Sequence, residues 1–98
     1  MVFYPGPYLN HIEAQIEKDS VKLAESEGWL SRKLQWVGRR GAPDRVFLKG
    51  SRAVFIEFKR PGVDVTGQQY QEFSRLVQAY DEVYVARSVE DVERILGI

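Results

Sequence analysis

The sequence predicts an α/β fold: a mixed central sheet flanked by helices, in the order α-β-β-β-α-β-α. Three observations predict it. Apolar residues recur at helical spacing early in the chain and again over 67–80. Two strand-like runs, 45–49 and 53–59, are separated only by the turn Gly50-Ser51-Arg52, which is the pattern of a hairpin. The second helix then leads to a further apolar run at 82–87. A hairpin followed by a helical crossover to another strand gives a sheet with both antiparallel and parallel pairs.

Residues 1–8 are a Pro/Gly-rich lead-in. Leu9, Ile12, Ile16, Leu23 and Ala24, with charges between them, make 9–27 an amphipathic helix, and Gly28 is its C-terminal stop. The run 34–37 is a short strand candidate, and 38–43 (Gly-Arg-Arg-Gly-Ala-Pro) a basic turn. Strands follow at 45–49 and 53–59, then a loop at 61–67. Tyr70, Phe73, Val77 and Tyr80 step by three and four, so 67–80 is a helix, opened by the capping box Thr66-Gly67-Gln68-Gln69. After the strand at 82–87, Ser88 opens a short helix through Leu96 with Asp91 as capping acid and Val89, Val92, Ile95 and Leu96 facing inward.

The 98 residues suit one domain spanning 1–98, without repeats or low-complexity tracts. Cysteine is absent, which excludes a disulfide scaffold and a thiolate metal site. The single histidine, His11, excludes a His-rich zinc site and reads as a surface helix residue. No apolar run approaches the roughly 20 residues of a membrane span, and MVFYPGPYLNH has no basic region before its two early prolines. The expected location is cytoplasmic. The formal net charge is zero, but residues 31–60 hold nine basic side chains against two acids, a surplus of seven. The remaining residues hold five basic and twelve acidic groups, a deficit of seven. Such a separation suggests either one face made for a polyanion or two halves that neutralise each other across the fold. Trp29 and Trp36 read as core or interface residues rather than platforms for bases.

Strand 53–59 carries the chemistry. Alternation puts Val54, Ile56 and Phe58 on one face and Phe55, Glu57 and Lys59 on the other, so a carboxylate and an ammonium project side by side. Pro43 forces an extended backbone on Ala42, and Asp44 follows at the mouth of the preceding strand. Hairpin pairing of the two strands brings Asp44 near Lys59 and within reach of Glu57. Two converging carboxylates make a hard-cation site, and Mg²⁺ takes one or two carboxylates together with water and substrate phosphate. With the lysine beside it, that is a metal-assisted phosphodiester hydrolysis site. Singly, Asp44 also reads as a turn residue, and Glu57 with Lys59 as a surface ion pair.

Pro43-Asp44, a spacer, then Glu57-Phe58-Lys59 resembles the signature of the PD-(D/E)xK nuclease superfamily. Gly41-Ala42-Pro43-Asp44, a glutamate in the first helix and a downstream Thr66-x-x-Gln69 resemble its virus-type replication-repair nuclease (VRR-Nuc) branch, over residues 10–80. The resemblance implies a restriction-endonuclease-like core and these roles: Asp44 as principal metal ligand, Glu57 as second acidic ligand, the Phe58 backbone carbonyl completing the metal shell, Lys59 as catalytic lysine, Gln69 supporting the site, and Glu13 as the helix-borne acid near the metal. Asn10-His-Ile-Glu13 also reads as a capping box, Glu17 is an equally good acid one turn on, and Gln68 competes with Gln69. Arg39 and Arg40, on a Gly-flanked turn beside Asp44, suit phosphate contact, with Arg45, Arg52 and Arg60 extending the track. The implied activity is a Mg²⁺- or Mn²⁺-dependent, structure-selective DNA endonuclease acting in DNA repair and leaving a 5′-phosphate. Small members of this kind resemble homodimeric Holliday-junction resolvases that act on four-way junctions, and Phe3, Tyr4, Tyr8, Trp29 and Trp36 are candidates for the dimer surface. The alternative is a non-catalytic nucleic-acid-binding or assembly module on the same fold.

Overall fold

The computed structural model describes residues 7–98, with side chains from residue 12 onward. Its elements are α1 (Pro7–Ser26), β1 (Leu30–Lys33), β2 (Arg45–Lys49), β3 (Arg52–Phe58), α2 (Gly67–Ala79), β4 (Val83–Ala86) and α3 (Val89–Leu96). The expected order α-β-β-β-α-β-α is the observed one. The sheet runs β1-β2-β3-β4, with β1/β2 and β2/β3 antiparallel and β3/β4 parallel. Phe3 and Tyr4, and the side chains of Tyr8, Leu9, Asn10 and His11, lie outside what is described.

Helix α1 starts earlier than the Asn10 capping box requires, because the backbone is already helical at Pro7. It ends as the sequence indicates. Gly28 takes φ 88°, its amide donates to the Glu25 carbonyl, and the Trp29 amide reaches back to Ala24 at 3.0 Å. The first strand is not at 34–37 but at Leu30–Lys33, immediately after that turn. Its polar sequence Leu-Ser-Arg-Lys carries little apolar alternation. Its place is fixed by register, which pairs Ser31 with Phe47 and Lys33 with Arg45. Within 34–37, Val37 is exposed and Trp36 bonds instead to helix α2.

The core lies on the sheet face that carries Phe47, Val54, Ile56, Phe58 and Ala86. Ala24 of α1 and Val92 and Leu96 of α3 cover it, together with Trp29. On the opposite face, Phe55 meets Tyr80 edge-on at 6.0 Å, where α2 ends. The Thr66 capping box forms in full: the Thr66 hydroxyl accepts from the Gln69 amide at 3.1 Å, and the Gln69 side chain accepts from the Thr66 amide at 2.9 Å. Ser88 caps α3, accepting from the Asp91 amide at 3.0 Å. Among the described residues, no helix is long and apolar enough to cross a membrane.

Candidate active site

Sheet register assembles the site. β2 and β3 pair Arg45 with Ile56 and Val46 with Phe55. Directly opposed residues share a face, so Arg45 points to the core side. Carrying the register back one residue sets Asp44 opposite Glu57, on the α2 side. There Asp44 Oδ2 accepts from the Phe58 amide at 2.8 Å, which fixes the carboxylate at the end of β3. Lys59 Nζ lies 3.5 Å from Glu57 Oε2, and Gln69 Nε2 donates to the same oxygen at 2.9 Å. The capping box therefore does two things. It closes the first turn of α2 and aims the Gln69 amide at Glu57. Gln69, not Gln68, is the glutamine that touches the site.

Glu57 is buried at 4% exposure. Its Oε1 is wholly buried and has no hydrogen-bond partner among the described residues. Burial, and next the Asp44 charge, push the Glu57 carboxyl up from 4.5 to about 7, against the Lys59 ammonium and the Gln69 amide. Burial also raises Asp44 above the usual aspartate value, opposed by the Phe58 amide and reinforced by the Glu17 charge. Two carboxylates are thus held together at an electrostatic cost, with one oxygen unsatisfied. An oxygen-rich donor set of this kind fits a hard divalent cation. Among the described residues no group of three or more acidic or histidine side chains gathers round one point. Asp44 and Glu57 would therefore hold a cation together with backbone, water or substrate oxygens. At the Phe58 position, it is the amide that is seen to contact a site carboxylate.

The Glu13 carboxylate is paired elsewhere, accepting from Arg60 Nη1 at 3.1 Å. Glu17, the other acid of α1, pairs with Arg45 Nε at 2.6 Å and with Lys33 at 3.3 Å. Of the two, Glu17 is the one whose charge reaches Asp44.

No family model matches the chain. The protein called "Putative nuclease p44" from Acyrthosiphon pisum secondary endosymbiont phage 1 is 38% identical over 85 residues, covering 86% of this chain and 90% of that protein. A solved structure described as a VRR_NUC domain superposes with TM-score 0.80 at 28% identity, covering 88% of this chain and 95% of that one. The chain belongs to the VRR-Nuc family of nucleases. Its four-stranded mixed sheet with three helices is the VRR-Nuc fold.

Much of the basic charge of this VRR-Nuc chain is neutralised internally. Arg52 grips both Glu82 oxygens at 2.7 Å, donates to the Ile95 and Leu96 carbonyls and lies 5.6 Å over the Trp29 ring. Arg45 closes on Glu17 and Ser31, and Arg60 on Glu13. The acids of the flanking segments fold back onto these three arginines. Arg52 also stands at the far end of β3 from Glu57. Arg39 and Arg40 sit instead on an open concavity beside α2. Sequence reasoning missed two residues there, Glu72 and Arg75. Their signal was the helical spacing Gln68, Glu72, Arg75 on the side of α2 that meets the basic turn.

Proposed function

We propose that this VRR-Nuc nuclease is a divalent-metal-dependent, structure-selective DNA endonuclease that works as a homodimer on four-way junctions. The observation that carries the metal-dependent reading is the half-buried Asp44 beside the buried Glu57, whose Oε1 has no hydrogen-bond partner among the described residues. A protein does not stabilise itself by burying one carboxylate beside a second, half-buried one and leaving an oxygen without a donor. The arrangement makes sense as a binding site for positive charge.

The roles follow from the contacts. Asp44 is pinned by the Phe58 amide and Glu57 by Gln69, so neither carboxylate must reorganise when substrate arrives. The Lys59 ammonium, 3.5 Å from Glu57, stands where it can orient the attacking water and offset charge on the phosphoryl oxygens. Bound at the pair, a divalent cation such as Mg²⁺ or Mn²⁺ would polarise the phosphate and lower the pKa of a water. Glu13 belongs to the proposal as a ligand only after its contact with Arg60 opens. The junction substrate and the dimer rest on the family resemblance and on symmetry: a four-way junction is two-fold symmetric, and a C₂ dimer presents two sites to symmetric strands.

The test is cleavage of end-labelled four-way-junction DNA, with a matched linear duplex in the same tube, in Mg²⁺ or Mn²⁺. Paired, symmetric cuts in the junction alone, absent from Lys59→Ala, are expected. Equal cutting of the linear duplex overturns junction selectivity. Undiminished cutting in EDTA overturns metal dependence. Sedimentation as a monomer at micromolar concentration, with and without junction DNA, overturns the dimer.

A further inference from the structure

Beside the catalytic pair, the 38–41 loop and α2 line a concavity of about 550 Å³ formed by Gly38, Arg39, Arg40, Gln68, Gln71 and Arg75. Three arginines line it, and one acid, Glu72, pairs with two of them. Glu72 Oε1 takes Arg75 Nη1 at 3.2 Å and Arg39 Nε at 3.6 Å, while Oε2 accepts from Trp36 Nε1 at 2.6 Å. Both arginine side chains remain 58% exposed, against 10% for Glu72. Each commits one nitrogen to Glu72 and keeps the rest of its five-donor fork. Arg40 is exposed and has no ion pair among the described residues. Arg39 thus leaves more of its side chain in solvent than Arg45, Arg52 and Arg60, which are 18%, 38% and 24% exposed.

The concavity adjoins the catalytic carboxylates. At Gly41 the loop approaches α2 so closely that a Cβ would lie 3.0 Å from Glu72 Cβ and 3.1 Å from the Gln68 carbonyl oxygen, at φ 97°. Asp44 stands three residues further along this loop, and Gln69, next to Gln68, holds Glu57. One loop and one helical turn therefore set both sites.

We propose that Arg39, Arg40 and Arg75 form a phosphate-anchoring subsite for the DNA backbone next to the scissile bond, with Glu72 and Trp36 as the frame that sets Arg39 and Arg75. This rests on the nuclease reading above and adds a second point of attachment to it, one that reads backbone and not base. Contacts to phosphate position a duplex without selecting a sequence.

Fluorescence anisotropy of labelled junction DNA in EDTA, over a salt series, tests it with wild type, Arg40→Gln, Arg75→Gln and the exposed control Lys22→Gln on α1. Removing one arginine–phosphate interaction should lower the slope of log affinity against log salt by about 0.9. Arg40→Gln and Arg75→Gln should show that reduction on DNA of any sequence, with Lys22→Gln matching wild type. If Arg75→Gln melts early, Arg40→Gln, which breaks no ion pair among the described residues, carries the test. Wild-type slopes in both arginine variants, or an equal reduction in Lys22→Gln, overturn the subsite. Preferential binding of RNA overturns its assignment to DNA. Failure of the nuclease reading looks different: wild type would not cleave DNA with any divalent metal, yet its DNA affinity would still fall in the two arginine variants.

Discussion

Glu57→Gln should stabilise the metal-free protein at alkaline pH and leave it nearly unchanged in acid. In the folded protein the Glu57 carboxyl is carried from 4.5 to about 7 by burial and by Asp44. A carboxyl with a raised folded pKa binds its proton more tightly folded than unfolded, so stability falls as pH rises from the unfolded value through the folded one. The loss therefore accumulates between 4.5 and about 7 and is complete above that window. At about 1.4 kcal/mol per pKa unit, the full displacement amounts to about 3 kcal/mol. Asp44 shares the titration, and glutamine leaves Lys59 without its counter-charge, so about 1–2 kcal/mol is the expected gain near pH 8.5. Glutamine is close in shape to the protonated acid, and the gain should vanish near pH ~4.5. Urea unfolding in EDTA at both pH values measures it. Saturating Mn²⁺ should then reverse the order, stabilising wild type by about 2.7 kcal/mol at a hundred times its Kd while leaving the variant behind. A variant that is less stable than wild type by the same amount at both pH values would refute the reasoning.

Asp44→Asn keeps an oxygen acceptor for the Phe58 amide, so its melting temperature should stay near wild type. Its cleavage rate should fall more than about a hundredfold, corresponding to several kcal/mol of lost charge stabilisation, measured under single-turnover conditions. Gln69→Ala removes both the capping bond to Thr66 and the brace on Glu57. It should cost about 1 kcal/mol in urea unfolding and about 10–100-fold in cleavage. Arg52→Ala breaks the two-point grip on Glu82 and the hydrogen bonds to the end of α3. It should destabilise by about 2 kcal/mol with an unchanged salt slope of DNA binding, because this arginine spends its donors on Glu82 and the end of α3.

The elements that announce themselves by local spacing were legible. Helix α2 and its capping box, the hairpin, and the Ser88 start of α3 depend on residues three or four apart or on alternation along one strand. Strand β1 was displaced by about one strand length because Leu-Ser-Arg-Lys has no apolar alternation, and its position comes from pairing with β2. The Asn10 cap failed because a capping box fits any Asn-x-x-Glu, whereas the backbone is already helical at Pro7.

Pro43-Asp44 and Glu57-x-Lys59 could be read as a metal-type constellation from sequence, because a strand's period of two dictates which side chains share a face. The sequence also contained the separated charge of the middle segment. It did not determine where that charge would go, since ion pairing depends on which distant groups the fold brings within about 4 Å. Only the tertiary structure assigned Arg45, Arg52 and Arg60 to Glu17, Glu82 and Glu13, set Arg39 and Arg75 on Glu72 with most of each side chain exposed, and left Arg40 without an ion pair among the described residues. Only it set Asp44 against the Phe58 amide and buried Glu57 with one oxygen unpartnered among the described residues. Residue types and spacing are local facts of the chain; register, burial and charge pairing are relations between segments, and these turn a motif into a site.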